Sequence, residues 1–332
     1  MLSHAPFNGF KTKAMSSSPS RCDAAGTAAV AGHAELLPLA REAGATDIGI
    51  ADAGPVALSA VEAYNRWLSQ GRHGTMEYLA RYGDIRRDPR LLLDGARSLI
   101  VAAFNYMPPR RQPDGVPRFA DYALGLDYHE VLRERLGRLA TAIRDRWGGD
   151  TRVCVDTAPL MERYWAVQSG LGFVGRNSQL ILPGRGSRFF IGTVITTTHF
   201  RRDTPCTLTC SDCGRCAAAC PGGAITPDGN CAAFDARRCL SYLTIEHRGP
   251  LPAGLRLGCR IYGCDACQDV CPHNRHAVPT DITEFLPRPS LLALTAPAIA
   301  SMTPEQFSTI FSHSAVKRAK LAGLQRNLSH CR

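Results

Sequence analysis

No stretch of this 332-residue chain is apolar over the roughly 18 residues that a membrane-crossing helix needs. The N-terminus lacks a secretory core as well: Met1 to Cys22 is polar and rich in Ser and Pro, and the Ala-rich run from Ala24 to Ala34 is broken by Gly and His. Both absences point to a cytoplasmic protein with no membrane partner. Lysine is scarce, present only at Lys11, Lys13, Lys317 and Lys320, so the basic side of the balance is almost all Arg. The 39 Lys and Arg against 29 Asp and Glu leave +10, which admits an anionic partner without requiring one. No Gly-x-Gly-x-x-Gly follows a strand-like run, so a nicotinamide cofactor has no support. Gly170, Gly172 and Gly175 approach that spacing but follow a helical stretch, and read as a turn. Internal repeats are missing too, apart from a pair of cysteine motifs.

With 45% apolar residues the chain can bury substantial cores, and its length allows about two domains. The folded pattern starts near Glu35, so residues 1–33 read as a flexible leader, with Met15 a second candidate start. Helical periodicity at Ala34 to Gly44, despite Pro38, leads into a strand-like DIGIADA at Asp47 to Ala53. A helix is expected from Val56 to Gly71 and a strand from Ser98 to Tyr106, ended by a Pro pair. Tyr128 to Trp147 reads as a long helix with apolar Val131, Leu132, Leu136, Leu139 and Ile143. A short strand VCVD, a helix near Leu160 to Ser169 and a strand at Phe189 to Thr197 follow. This alternation predicts an α/β (α+β) domain over residues 34–200 whose sheet is expected to be mixed. Residues 201–279 form a cysteine segment, and residues 280–332, punctuated by Pro287, Pro289 and Pro297, read as a helical segment.

Of the fourteen cysteines only Cys22, Cys154 and Cys331 lie outside the span from Cys206 to Cys271. Such crowding in a cytosolic chain favours metal over disulfides, because reducing compartments keep thiols free. Cys210, Cys213, Cys216 and Cys220 followed by Pro221 reproduce the C-x2-C-x2-C-x3-C-P run of two-cluster ferredoxins. Three thiolates in a tight loop hold three corners of one cubane, and the fourth, at a helix start, points at the other cluster. A second motif, Cys264, Cys267 and Cys271 before Pro272, is one cysteine short. Crosswise sharing gives Cys210, Cys213, Cys216 and Cys271 to one 4Fe-4S cluster. Cys220, Cys264 and Cys267 then hold a second with one of Cys206, Cys231, Cys239 or Cys259. Zinc sites have little use for this run of spacings. Clusters move single electrons, so an acceptor has to sit in the other domain or in a partner.

Seven stretches, in order, carry a family likeness: HGTMEYLARY (His73 to Tyr82), DYALGLDYH (Asp121 to His129), VDTAPLMER (Val155 to Arg163), GLGFVGRNS (Gly170 to Ser178), CSDCGRCAAACPGGAI (Cys210 to Ile225), DARRCLSYLTIEHRG (Asp235 to Gly249) and RIYGCDACQDVCPHNR (Arg260 to Arg275). The chain closely resembles the epoxyqueuosine reductases, cobalamin-dependent enzymes that complete queuosine in tRNA. The resemblance implies an N-terminal cobalamin-binding domain, a ferredoxin-like domain with two 4Fe-4S clusters, and Cys239 as the eighth ligand. Carried over by position, Arg81, Asp156, Leu180, Ile191, Ser241 and the turn Ile261, Tyr262, Gly263 and Cys264 touch base-off cobalamin. Cobalamin enters through the resemblance alone, since no Asp-x-His-x-x-Gly motif is present.

Reducing an epoxide to an alkene consumes two electrons and two protons and releases water, so an acid is needed at the ring oxygen. Asp156, at the end of VCVD, reads by itself as the cap of a helix starting near Pro159; the resemblance makes it the proton donor. The implied partners are the anticodon stem-loop of a tRNA and an external donor such as a flavodoxin or ferredoxin system, with the protein acting as a monomer. Arg237, Arg238, Arg248, Lys317, Arg318 and Lys320 are candidate phosphate contacts. Departures from the family pattern are Asp121 where Arg is common, Arg176 for Lys and His273 for Trp. The family continues past the position of Leu328 into HEAT-like repeats, so residues 280–332 are expected to be a truncated remnant with weaker tRNA binding. Competing readings are a reductive dehalogenase, which would carry a twin-arginine export signal, a ferredoxin-type electron carrier, which would not need the long α/β domain, and a zinc-dependent nucleic-acid binder.

Overall fold

The computed structural model describes residues 30–226 and 231–331. Most of the expected leader, Met15 and Cys22 lie outside these residues. Among them no helix is long and apolar enough to cross a membrane. The first part of the chain runs α1 (His33–Glu42), β1 (Asp47–Asp52), α2 (Leu58–Ser69), α3 (Gly83–Arg87), β2 (Ser98–Asn105) and β3 (Arg118–Phe119). Next come α4 (Tyr128–Trp147), β4 (Thr151–Cys154), α5 (Glu162–Gln168), β5 (Phe173–Val174), β6 (Leu180–Ile181) and β7 (Phe189–Thr196). The cysteine segment adds α6 (Arg215–Ala218), α7 (Leu240–Ile245), β8 (Arg260–Tyr262) and α8 (Ala266–Asp269). Four helices end the chain: α9 (Pro289–Leu292), α10 (Ala296–Ala300), α11 (Pro304–Ile310) and α12 (Lys320–Ser329).

Strands β1, β2, β7 and β4 form one sheet in that order, and every pairing is antiparallel. The mixed sheet expected from alternating helices and strands is therefore not what forms: parallel pairing is confined to the short β3 and β8. Alternation in sequence does not fix strand direction here: β1 and β2, and likewise β4 and β7, are neighbours that run antiparallel even with a helix between them, so no parallel crossover is made. All eight residues of β2 are buried, as a continuous apolar run predicts for a strand covered on both faces. Registered neighbours show what covers it. Ile48, Ala102 and Gly192 share one face, and a Cβ at Gly192 would press on Leu136 of α4. Gly49, Val101 and Thr193 share the other, where a Cβ at Gly49 would strike Ser169 at the end of α5. The sheet is thus sandwiched between α4 and α5.

Helix α4 keeps the predicted bounds. Asp127 caps it by accepting the His129 backbone N–H at 2.9 Å, and Val131, Leu132, Leu136, Leu139 and Ile143 are its buried stripe. Two elements moved by a few residues. VCVD stops being a strand at Cys154, and the next helix starts at Glu162 with Met161 before it, so Asp156 caps nothing and sits in the bend between them.

The cysteine segment packs on the sheet domain through polar links as well as apolar ones. Trp67, 1% exposed, donates its ring N–H to the Phe234 carbonyl at 2.7 Å, and the Thr75 N–H donates to the Tyr242 hydroxyl at 2.9 Å. Arg188, just before β7, is 2% exposed and contacts Asp121 and, at 2.6 Å, Asp269 of α8. Arg111 bonds the same two carboxylates, at 2.8 and 2.6 Å, and the Asp121 N–H donates to Asp265 at 2.8 Å. The unusual Asp121 is thus the shared partner of two arginines. Arg176 pairs with Asp212 at 3.1 Å, and the His273 ring packs edge-on against Phe173 at 5.3 Å.

Helix α12 is held by one fully buried amide. Asn327 Nδ2 donates to the carbonyls of Thr244 at 2.9 Å and Ile261 at 2.8 Å, joining the last helix to α7 and β8. Asn327→Ala leaves both carbonyls buried without that donor and should cost about 1–3 kcal/mol, read as a lower midpoint in anaerobic denaturant unfolding. An unchanged midpoint would mean that water replaces the amide.

Candidate functional site

A cleft opens where β6 and β7 meet the bend after β4. Leu180, Phe189, Phe190 and Ile191 form an apolar wall, and Tyr128, Asp156, Glu162, Arg163 and Gln179 face it. The strands place the wall, since Phe189 and Ile191 lie on β7 beside the central strand. Asp156 has φ +44, a left-handed conformation that is uncommon for a residue with a side chain. Its Oδ2 accepts from the Tyr128 hydroxyl at 2.8 Å and lies 3.1 Å from His129 Nε2, while its backbone N–H donates to Glu162 Oε1 at 2.8 Å. On its other side, His129 Nδ1 lies 2.7 Å from Asp127 Oδ1.

These neighbours divide the protons. Burial works against the Asp156 charge, whereas the bonds from His129 and Tyr128 favour it. Burial pushes the Glu162 carboxyl up, and the nearby Asp156 charge adds to this, to about 8. Burial would lower His129, but its bonds to Asp127 and Asp156 outweigh that and raise it above 6.5. The bonds in the cleft therefore favour charge on Asp156 and His129, while burial opposes it on Glu162.

The thiols fall into two groups. Burial raises the Cys216 thiol to about 11, helped by the closeness of Cys210, Cys213 and Cys271. Cys267 is raised by burial and then by Cys264, Cys239 and Cys220. Cys259 instead adjoins Cys331, which burial and that neighbour push up to about 11. Cys206 sits apart, its N–H donating to the Val167 carbonyl at 3.0 Å, and the Cys231 side chain lies outside the described residues. Among the described residues no three His, Cys, Asp or Glu side chains close around a single-ion position. Each group holds four thiols, the number that one 4Fe-4S cubane takes.

Comparison with known proteins gives the relationship. The family model described as epoxyqueuosine reductase QueG, DUF1730, matches residues 86–157, and that of the 4Fe-4S double cluster binding domain matches residues 209–274. An epoxyqueuosine reductase of Cellulophaga algicola is 39% identical over 266 residues, spanning 79% of this chain and 86% of its own. The chain belongs to the epoxyqueuosine reductase family. A solved epoxyqueuosine reductase in complex with an epoxyqueuosine-modified tRNA-Tyr stem loop is 29% identical, with TM-score 0.79, covering 89% of this chain and 79% of that one. A Bacillus subtilis epoxyqueuosine reductase, seen with its catalytic aspartate loop swung out of the active site, is 30% identical with TM-score 0.77 over the same shares.

In this epoxyqueuosine reductase relative, three of the residues expected at cobalamin share the cleft: Asp156, Leu180 and Ile191. The others do not line it. Ser241 is in the first turn of α7, and Ile261 and Tyr262 are buried in β8. Gly263, at φ +72, turns the chain with its N–H on Thr244 Oγ1 at 2.9 Å, a turn where a Cβ would come within 2.6 Å of Ala120, and so presents Cys264. Arg81 is exposed. Tyr78 ties this second set to the cleft, because burial first and then the charges of Glu246, just after α7, and Asp156 all raise its phenol. Sequence reasoning missed Tyr128, His129, Glu162, Arg163 and Gln179. The first four lay inside the quoted stretches DYALGLDYH and VDTAPLMER, and only the fold shows that the two stretches meet. Several expected phosphate contacts are engaged internally: Arg237 with Asp235 at 2.8 Å, Arg318 with Glu246 at 2.7 Å, and Arg248 with the carbonyls of Ile245 and Arg318, both at 2.8 Å.

Anaerobically reconstituted protein should bind about eight iron and eight sulfide per chain. Cys239→Ala should lose about half of the iron, whereas Cys206→Ala and Cys259→Ala should keep all of it. Full iron in the Cys239 variant would move the eighth ligand elsewhere.

Proposed function

We propose that this chain reduces the epoxide of epoxyqueuosine in a tRNA anticodon stem-loop to the alkene of queuosine, with Asp156 as the acid. One observation carries the reading: a cleft in which the Asp156 carboxyl is hydrogen-bonded to Tyr128 and to a histidine ring, in a chain whose cysteines gather into two groups of four. The relatives support it, one by its modified stem loop and one by its catalytic aspartate loop. We assign Cys210, Cys213, Cys216 and Cys271 to one 4Fe-4S cluster and Cys220, Cys239, Cys264 and Cys267 to the other, on the grouping of their thiols.

We assign cobalamin to the apolar side of the cleft, at Leu180, Phe189 and Ile191, with Arg81 from the sheet domain and Ser241 and Ile261 to Cys264 from the cysteine segment contributing to its binding. Cobalamin, when bound, supplies the reducing centre that the clusters feed. The protein's own residues handle the protons. Arg163 and Gln179, whose polar ends meet at 3.4 Å, face the wall and can grip substrate hydroxyls. Asp156 acts by passing to the substrate oxygen a proton that His129 delivers through Oδ2, and Asp127 keeps the ring aligned. We place residues 34–200 as the catalytic domain, 201–279 as the cluster domain and 280–332 as a helical appendage. We expect a monomer fed by a flavodoxin or ferredoxin system, as the family resemblance implies.

Asp156→Asn should keep iron and cobalamin but lose turnover of epoxyqueuosine-containing tRNA by about a hundredfold or more, measured by nucleoside analysis with a chemical reductant. Full activity would remove Asp156 from the chemistry. The His129 pKa is raised, so its protonated form prevails below that value and is lost as pH rises through it. Turnover should accordingly decline from neutral to alkaline pH, and a profile flat to about pH 9 would show that the imidazolium is not the proton source.

A further inference from the structure

We infer that Glu162 is a positioning residue for Asp156: by accepting its backbone N–H, Glu162 holds the bend that keeps the Asp156 carboxyl in the cleft. The inference rests on the proposed role of Asp156 as proton donor. A residue with a side chain at φ +44 costs about 1–3 kcal/mol and persists only where its surroundings over-determine it. Tyr128 and His129, on α4, hold Oδ2. They restrain the tip of the side chain and leave the backbone able to turn. The backbone is held from the opposite face of the sheet, by Glu162 Oε1 at 2.8 Å.

Glu162 is suited to be that fixed point. It is the first residue of α5, whose Tyr164, Trp165 and Ala166 are buried and which lies against β1, β2 and β7. An acidic residue in a first helical turn is ordinarily stabilised by its own helix N–H groups and by water. Here the carboxyl is turned back six residues along the chain, half-buried and bonded to the Asp156 backbone, a placement that opposes its own ionisation. A solvent-facing rotamer would avoid that cost, so the inward position is maintained by what it bonds. The bond spans the two layers that sandwich the sheet, fixing the distance between the His129 side of the proton path and the Arg163 side of the cleft.

The test uses the full chain, reconstituted anaerobically, with Glu162→Gln, Glu162→Ala and Glu162→Met. Gln keeps a carbonyl oxygen in place, whereas Ala and Met remove the acceptor and Met preserves volume. Hydrogen–deuterium exchange should show the Asp156 amide exchanging about tenfold faster or more in the Ala and Met variants, with neighbouring β4 amides unchanged, and close to the parent rate in the Gln variant. The kcat should fall about tenfold or more in Ala and Met with KM shifted much less, and Gln should rescue it. Iron content and the unfolding midpoint confirm that each variant is folded, and should Ala fail to fold, Met decides. An Asp156 amide as protected in Met as in the parent overturns the inference, and so does a Gln variant as slow as Met. Should Asp156→Asn prove fully active, the acid assignment falls, and the exchange result then stands alone as a test of the bond.

Discussion

Arg188 joins the two working parts of the molecule. It immediately precedes β7, which carries the apolar wall of the cleft, and its buried guanidinium binds Asp121 and the α8 residue Asp269. Helix α8 lies between Cys264 and Cys271, so one cation fixes the cysteine loop against the strand that shapes the site. Arg111 covers the same carboxylates from the solvent side, and Asp265 accepts the Asp121 N–H. A buried ion cluster of this kind adds little net stability over apolar packing, but its directional bonds tolerate few alternative arrangements. Loss of either partner would leave an uncompensated buried charge. Distance between an electron source and the site it serves has to be set rigidly, and this cluster sets it.

The same logic, charge fixed by geometry, runs through the cleft. Asp156, His129 and Asp127 form a line of alternating sign from the bend to the first turn of α4. Burial first, and then the neighbouring Asp156, push the Glu162 carboxyl up to about 8. Two carboxyl groups in one cleft thereby take different protonation states, which is what a reaction consuming protons requires of its acid.

Much of this was legible in the sequence. The cysteine motifs gave both thiol groups because their spacing is local, and the crosswise exchange follows from geometry shared by all cubane loops. Cys239 was not reachable from spacing, as it stands alone between the motifs; family likeness supplied it, and its position beside Cys220, Cys264 and Cys267 agrees. Helix α4 and strand β2 were readable from periodicity and a continuous apolar run. Strand direction was not, since it depends on which strands become neighbours. Nor was the proton network: Tyr128 and His129 are 27 to 28 residues from Asp156, and nothing in either stretch alone says that they touch. Asp156 itself looked like a helix cap because the next helix begins at Glu162, three residues after the Pro159 start that the sequence pattern indicates.

The short parallel pair of β3 and β8 carries a consequence for how the chain assembles. It joins Arg118 to Arg260 and Phe119 to Tyr262, segments about 140 residues apart, with only a few bonds to repay closure of so long a loop. Such a pairing forms late. The antiparallel sheet, whose β1 and β2 meet across a shorter connection, has to exist before β8 finds its place, and the turn that presents Cys264 follows β8 directly. The β3–β8 pair is thus expected to close after the antiparallel sheet, so that the turn presenting Cys264 is completed against strands already in place.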